Sequence, residues 1–238
     1  MPAPTAIHKW LRTPLGQDLR AIEARVISRA LDQVFGVQLL QVGAWGKPGC
    51  LLEHARTQRR AILGESAGIG VSIVGDPAEL GVATDSVDAV LLPHTLELSP
   101  EPHRVLREAE RVLIGDGCLL ILGFNPRSLW GLRRAFSRGR FPPGIQQFIA
   151  ERRIRDWLAL LGLEAGHAHH YLFVPPFRRR AAREVPAPGD PAGRAGFARH
   201  FAGAYLLVAR KRVYTFTPIR PRWTGRRKVM GGLAEPTA

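Results

Sequence analysis

Residues 85–126, DSVDAVLLPHTLELSPEPHRVLREAERVLIGDGCLLILGFNP, constrain the fold more tightly than any other stretch of the chain. Residues 89–92 are a short apolar run, long enough for a buried strand and too short for a buried helix. Ser99 and Pro100 are expected to open a helix, a hydroxyl cap followed by a proline whose missing N–H costs nothing in the first turn. Val105, Leu106, Ala109, Val112 and Leu113 then form one apolar stripe. Gly115 and Gly117 are expected to end that helix, where a left-handed residue needs no Cβ. Residues 118–122 are apolar on successive positions, as in a parallel strand covered on both faces. A strand, crossover helix and strand of this kind belong to a doubly wound α/β sheet, where ligands bind at the carboxyl ends of the strands. Here those ends are Pro93-His94 and Gly123-Phe124-Asn125.

The rest of the chain extends the same plan. Leu19, Ile22, Val26, Ile27, Ala30, Leu31 and Val34 make residues 17–35 an amphipathic helix packed on the sheet. Strands are expected at 37–42, 61–63 and 71–74, with a helix beginning at 49–55 after the Gly43-Ala44-Trp45-Gly46 turn. Residues 126–147, an amphipathic piece at 128–136 followed by a Gly/Pro break, are read as a lid or substrate-facing insert. Ile154, Trp157, Leu158 and Leu161 mark a helix closed by Gly162. Residues 169–174 and 204–209 read as two late strands, and 175–196 as a Pro/Gly/Arg-rich connection. The expected division is a helical N-terminal extension at 1–35, an α/β domain at 36–210, and a basic tail at 211–238 whose lack of periodicity points to disorder.

The charge is uneven. Residues 1–126 hold 12 Lys/Arg and 14 Asp/Glu, whereas residues 127–238 hold 22 and 6. The second half therefore suits an anionic partner, nucleic acid, lipid or an acidic protein, although an arginine-rich coding bias would produce the same excess. No apolar run approaches the roughly 18–20 residues of a membrane span. The N-terminus has no apolar signal region, and the two cysteines, Cys50 and Cys118, favour a reducing, cytoplasmic setting without a disulfide.

The acidic-plus-apolar strand Asp88-Ala-Val-Leu-Leu, and the helix end Arg111-Val-Leu-Ile-Gly-Asp-Gly leading into the next strand, resemble the class I S-adenosylmethionine-dependent methyltransferases, especially the small bacterial type 11 group. The likeness covers roughly residues 36–174. It implies a Rossmann-like, doubly wound, mostly parallel sheet with an antiparallel edge hairpin from the two late strands. It also implies S-adenosylmethionine as cofactor. In that family an acid-x-Gly-x-Gly-x-Gly loop follows the first strand; here Gln41 stands for the acid, Gly43 matches, Trp45 replaces the second glycine, Gly46 falls one place late and Lys47 takes the third position. The indole either fills the space of the cofactor's amino-acid moiety or turns outward, leaving only the backbone at Gly43 facing the ligand.

The resemblance makes Gly43, Gly46, Glu65, Asp76 and His94 the candidate cofactor contacts. Glu65 follows the second strand, where the family places its ribose-binding carboxylate, and Asp76 follows the third, near the adenine. Their alternatives are an ordinary strand-to-helix turn for Gly43 and Gly46, a solvated loop carboxylate for Glu65, and a cap on the Pro77-Ala78-Glu79 turn for Asp76. His94 is also the candidate catalytic residue, an imidazole expected to face the cleft and orient the acceptor or take its proton; the alternative is a hydrogen-bonded loop histidine. His167, His169 and His170 cluster in sequence, but strand alternation separates 169 from 170, and no metal site is expected. Two functions follow: methyl transfer to an unidentified acceptor, or a non-catalytic protein of the same fold binding nucleic acid or an acidic partner through its basic half. A membrane-surface module is a weaker third, for want of a basic amphipathic helix.

Overall fold

The computed structural model describes residues 4–139, 141–173, 175–176 and 201–212. The chain opens with α1 (Pro4–Trp10) and α2 (Pro14–Leu31). Thr13 caps α2 by accepting the Gly16 N–H at 3.3 Å, and Pro14 stands in its first turn. The expected stripe is buried, but it also carries a carboxylate, Glu23.

Seven strands follow: β1 (Gln38–Val42), β2 (Arg59–Gly64), β3 (Ile73–Val74), β4 (Val87–Pro93), β5 (Leu113–Phe124), β6 (Leu163–Tyr171) and β7 (Ala204–Lys211). They make one sheet in the order β3-β2-β1-β4-β5-β7-β6. The first five pair in parallel, and β7 lies antiparallel to both β5 and β6. Between β4 and β5 come α3 (Thr95–Leu98) and α4 (Pro102–Val112); α5 (Leu129–Phe136) and α6 (Glu151–Leu160) precede β6. Along β4, Ala89 and Leu91 join a core with α1 and α2, while Val90 and Leu92 join a core with α4 and α6. That alternation is the pleat of a strand covered on both faces.

Several local expectations are corrected. Residues 49–55 form turns, not a helix. The crossover helix starts at Pro102, because the Ser99 hydroxyl accepts the Glu101 N–H and holds the chain out of the helix there. Its end is not made by a left-handed glycine: Asp116 carries the positive φ of 62°, and Gly117 is needed because a Cβ would stand 2.8 Å from the Ile114 carbonyl. β6 begins six residues before the expected 169, its pattern blurred by a bulge between Ala165 and Ala168 and by the half-exposure of an edge strand. The basic tail begins later than expected, since Lys211 ends β7 and its ammonium bonds Asp85 at 2.8 Å. The tail beyond residue 212, and most of the 175–196 connection, lie outside the described residues. No helix of the described residues is long and apolar enough to cross a membrane.

Candidate functional site

At the carboxyl ends of the central strands the backbone opens into a cleft. Gly43 and Ala44 line it after β1, Gly64, Glu65 and Ser66 after β2, Pro77 after β3, and Thr95 and Ser99 around α3. Ile7 and His8 of α1 and the residues Gly144 and Gln146 close over it. The remaining cavity is about 110 Å³. Pockets for drug-sized ligands run from roughly 300 Å³ upward. A nucleoside-sized ligand therefore needs α1 or the 144–146 segment to shift.

Gly43 has φ +96°, and a Cβ there would lie 2.9 Å from the Thr95 hydroxyl oxygen, so glycine alone permits this approach of loop to α3. The loop is held from below: Gly43 N–H bonds the Leu63 carbonyl at 2.8 Å, and the Thr95 hydroxyl donates to the Val42 carbonyl. Gln41, where the family pattern has an acid, is buried; its amide donates to the Gly43 carbonyl at 2.9 Å, and its own carbonyl oxygen has no partner among the described residues. Glu65 is exposed and unpaired among the described residues. A backbone open to close approach and a free carboxylate in one cleft fit a ligand bearing vicinal hydroxyls.

The other candidate residues fall elsewhere. Asp76 accepts the Ala78 N–H at 2.8 Å and so caps its own turn; its neighbour Pro77 lines the cleft. Gly46, at φ +69°, faces the Arg20 side chain on the α2 side. His94 does not face the cleft. Its ring is fully buried, with Nδ1 2.7 Å from Glu97 and Nε2 2.8 Å from Glu23. With both nitrogens engaged, the ring is out of reach of an acceptor in the cleft, and the expectation of a cleft-facing base is corrected. Trp45 turns neither outward nor into the cleft: its indole is buried and donates to Glu23 at 2.6 Å.

These residues form one polar cluster inside the core. His94 is sandwiched between Trp45 and Phe124, with ring centroids 4.5 and 4.2 Å away. Glu97 also accepts the backbone N–H of Phe124 at 2.9 Å and of Ile149 at 3.3 Å. The Tyr171 hydroxyl lies 3.4 Å from Glu23. Burial alone would depress the basicity of His94; the charge and hydrogen bond of Glu23, then those of Glu97, overcome it and carry its pKa up to about 9. Burial raises the Glu97 carboxyl, against the bonds it accepts from His94 and the two backbone amides. His94 sits at φ 56°, a strained conformation for a non-glycine residue that this network holds in place. Glu23 and Glu97 are the residues sequence reasoning missed. The available signal was a carboxylate inside the apolar stripe of α2, which demands a buried partner.

Larger cavities lie away from these loops. One of about 500 Å³ separates α2 from β6 and β7. An open groove of about 950 Å³ runs beside α6, lined in part by Arg127, Arg152, Arg153 and Arg155. Among the described residues no cluster of His, Cys, Asp and Glu could hold a metal ion. His170 instead pairs with Glu151 at 3.0 Å, a bond that, with help from Arg155, holds the Glu151 carboxyl down near 2.

Comparison with known proteins agrees with this fold. A family pattern described as a methyltransferase domain matches residues 51–121. The chain is 33% identical over 218 residues to the uncharacterized protein YafS of Escherichia coli strain K12, across 87% of this chain and 82% of that protein. Its structure is similar to that of a SAM-dependent methyltransferase from Archaeoglobus fulgidus, with a TM-score of 0.58 at 15% identity over 81% of this chain and 94% of the other. It is also similar to geranyl diphosphate methyltransferase in complex with SAM, with a TM-score of 0.55 at 19% identity over 84% and 89%. At those identities the likeness is one of fold.

Proposed function

We infer, from its methyltransferase domain and its fold, that the chain belongs to the class I S-adenosylmethionine-dependent methyltransferases and that it holds its cofactor in the cleft over β1, β2 and β4. The observation that carries this reading is the meeting of Gly43 and Glu65 in one cleft at the carboxyl ends of parallel strands. Glu65 accepts the ribose hydroxyls, the Gly43–Ala44 backbone lies against the ligand, and Asp76, through its turn at Pro77, shapes the adenine end. Gly46 keeps the loop in its left-handed path, and His94 positions the wall rather than touching the reactants. When bound, the cofactor supplies an electrophilic sulfonium methyl. With no base of the core cluster reaching the cleft, the chain's contribution is to place the acceptor in line and exclude water.

Titration calorimetry with S-adenosylmethionine and its demethylated product tests the placement. Both are expected to bind the unaltered protein, and Gly43→Val is expected to abolish binding, because branched bulk at φ +96° meets Thr95. Binding undisturbed by that change would put the pocket elsewhere.

The acceptor remains to be identified. A nucleic-acid acceptor or partner is supported by the basic second half and by the arginines of the α6 groove, three of which, Arg127, Arg152 and Arg153, have no carboxylate partner among the described residues. Such binding falls steeply with salt as counterions are released. Phe177, Tyr214, Phe216 and Trp223, candidate stacking residues in the same half, lie outside the described residues. A cytoplasmic setting is supported by Cys50 and Cys118, both free thiols.

A further inference from the structure

The wall of the cleft is one residue thick in two places. Thr95, Leu98 and Ser99 line the cleft, whereas His94 and Glu97 on the same short helix turn into the core. Gly43 and Ala44 line it, whereas Trp45 of the same loop turns back to Glu23. The buried cluster therefore stands directly behind the surface that the cofactor meets.

Its charge can be counted from its hydrogen bonds. Glu23 faces the indole N–H, one imidazole nitrogen and the Tyr171 hydroxyl. Glu97 faces the other imidazole nitrogen and two backbone N–H groups. Every carboxylate oxygen thus meets a donor. Two carboxylates and one imidazolium carry a net charge of −1. The count does not depend on where the shared proton sits: if it passes from Nδ1 to Glu97, both partners become neutral and Glu23 keeps the charge. The other titratable groups facing the cluster are Tyr171 and Tyr205, whose pKa values burial raises well above the ordinary one and which stay neutral, Cys50 beside Arg20, and Arg134. Arg134 is partly exposed, keeps its positive charge near Glu97 and spends its donors on the carbonyls of Phe141, Ile145 and Gln146; Arg20, three residues before Glu23 on α2, is a second guanidinium at the edge of the cluster, and among the described residues neither forms an ion pair with Glu23 or Glu97.

We propose that Glu23, His94 and Glu97 form a specificity element, a buried net negative charge behind the Gly43–Thr95 wall that favours the cationic sulfonium of S-adenosylmethionine over the neutral thioether left after methyl transfer. The inference rests on the cofactor reading above. It gives a reason for Trp45 where the family pattern has glycine: the indole N–H anchors the loop to the charged cluster. It also assigns a consequence, retention of fresh cofactor and release of spent product. A unit charge acting across one side-chain layer of partly screened protein changes relative affinity on the order of tenfold.

The test compares the two ligands rather than either alone. They differ by a methyl group and a positive charge, so a variant that merely loosens the cleft weakens both in parallel. Calorimetric titrations of S-adenosylmethionine and S-adenosylhomocysteine are run on the unaltered protein, Glu23→Gln and Glu97→Gln at about pH 6, below the ordinary imidazole value, so that His94 keeps its proton. Imidazole ¹⁵N shifts verify its charge, and circular dichroism verifies folding. Either folded variant suffices. The preference for the sulfonium is expected to fall about tenfold, toward parity. Parallel weakening with an unchanged ratio overturns the proposal and leaves the cofactor reading standing. If the unaltered protein binds neither ligand, the cofactor reading fails and this inference falls with it.

Discussion

The loops at the carboxyl end of the sheet have two faces built on opposite terms. On the core face Glu23, His94, Glu97 and Trp45 are buried and mutually bonded. On the cleft face Glu65 stands exposed without a partner among the described residues, and the Gly43–Ala44 backbone is bare of bulk. Buried polar groups in low dielectric are costly unless every one is satisfied, so the core face reads as a rigid support. Open acceptors at a strand end read as reserved for a ligand. The difference separates residues that hold the loops in place from residues proposed to meet the cofactor, although both sets come from the same short segments.

The comparison is broken most severely at Glu97. Replacing it with Ala strands a buried imidazolium and two backbone N–H groups, and urea denaturation is expected to show a loss of about 3–5 kcal/mol. A loss below about 1 kcal/mol would mean that the core face is not the support described here.

Acidity probes the same face without mutation. The folded-state pKa of His94, about 9, lies above its ordinary value of 6.5. Its contribution to stability is therefore fully present below 6.5 and is lost as pH rises through about 9. Urea midpoints measured across that window should fall toward alkaline pH. The fall should shrink in Glu23→Gln, where half of the stabilising charge is gone. A flat profile would show that His94 is neutral in the fold.

The smallest effect on stability is expected on the cleft face. Glu65→Ala should leave the urea midpoint within about 0.5 kcal/mol of the unaltered protein, as for an exposed side chain without partners. Cofactor affinity should nevertheless fall at least several-fold by calorimetry. Loss of stability together with affinity would place Glu65 among the supports and erase the distinction.

Much of this architecture is legible in the chain itself. The runs that became β4 and β5 are apolar on successive residues, and the stripe of α4 repeats at helical spacing, so burial can be read locally. The helix expected at 49–55 was not there to be read, and β6 was concealed because an edge strand with a bulge loses the period of two. Gly43 and Glu65 were legible because each directly follows a strand. His94 was legible as a residue at the right place and illegible in orientation, since a φ of 56° sends its ring into the core.

The sequence by itself thus determined most of the strands and helices, and where the strand ends that face a ligand must lie, because those follow from periodicity within a few residues. Only the tertiary structure decided that Glu23, His94 and Glu97 belong together and that Trp45 joins them. Glu23 and His94 are 71 residues apart, on a helix and a strand end, and meet at 2.8 Å. Periodicity reports that a side chain is buried; it carries no information about which distant group will satisfy it, and a buried charge is defined by that partner.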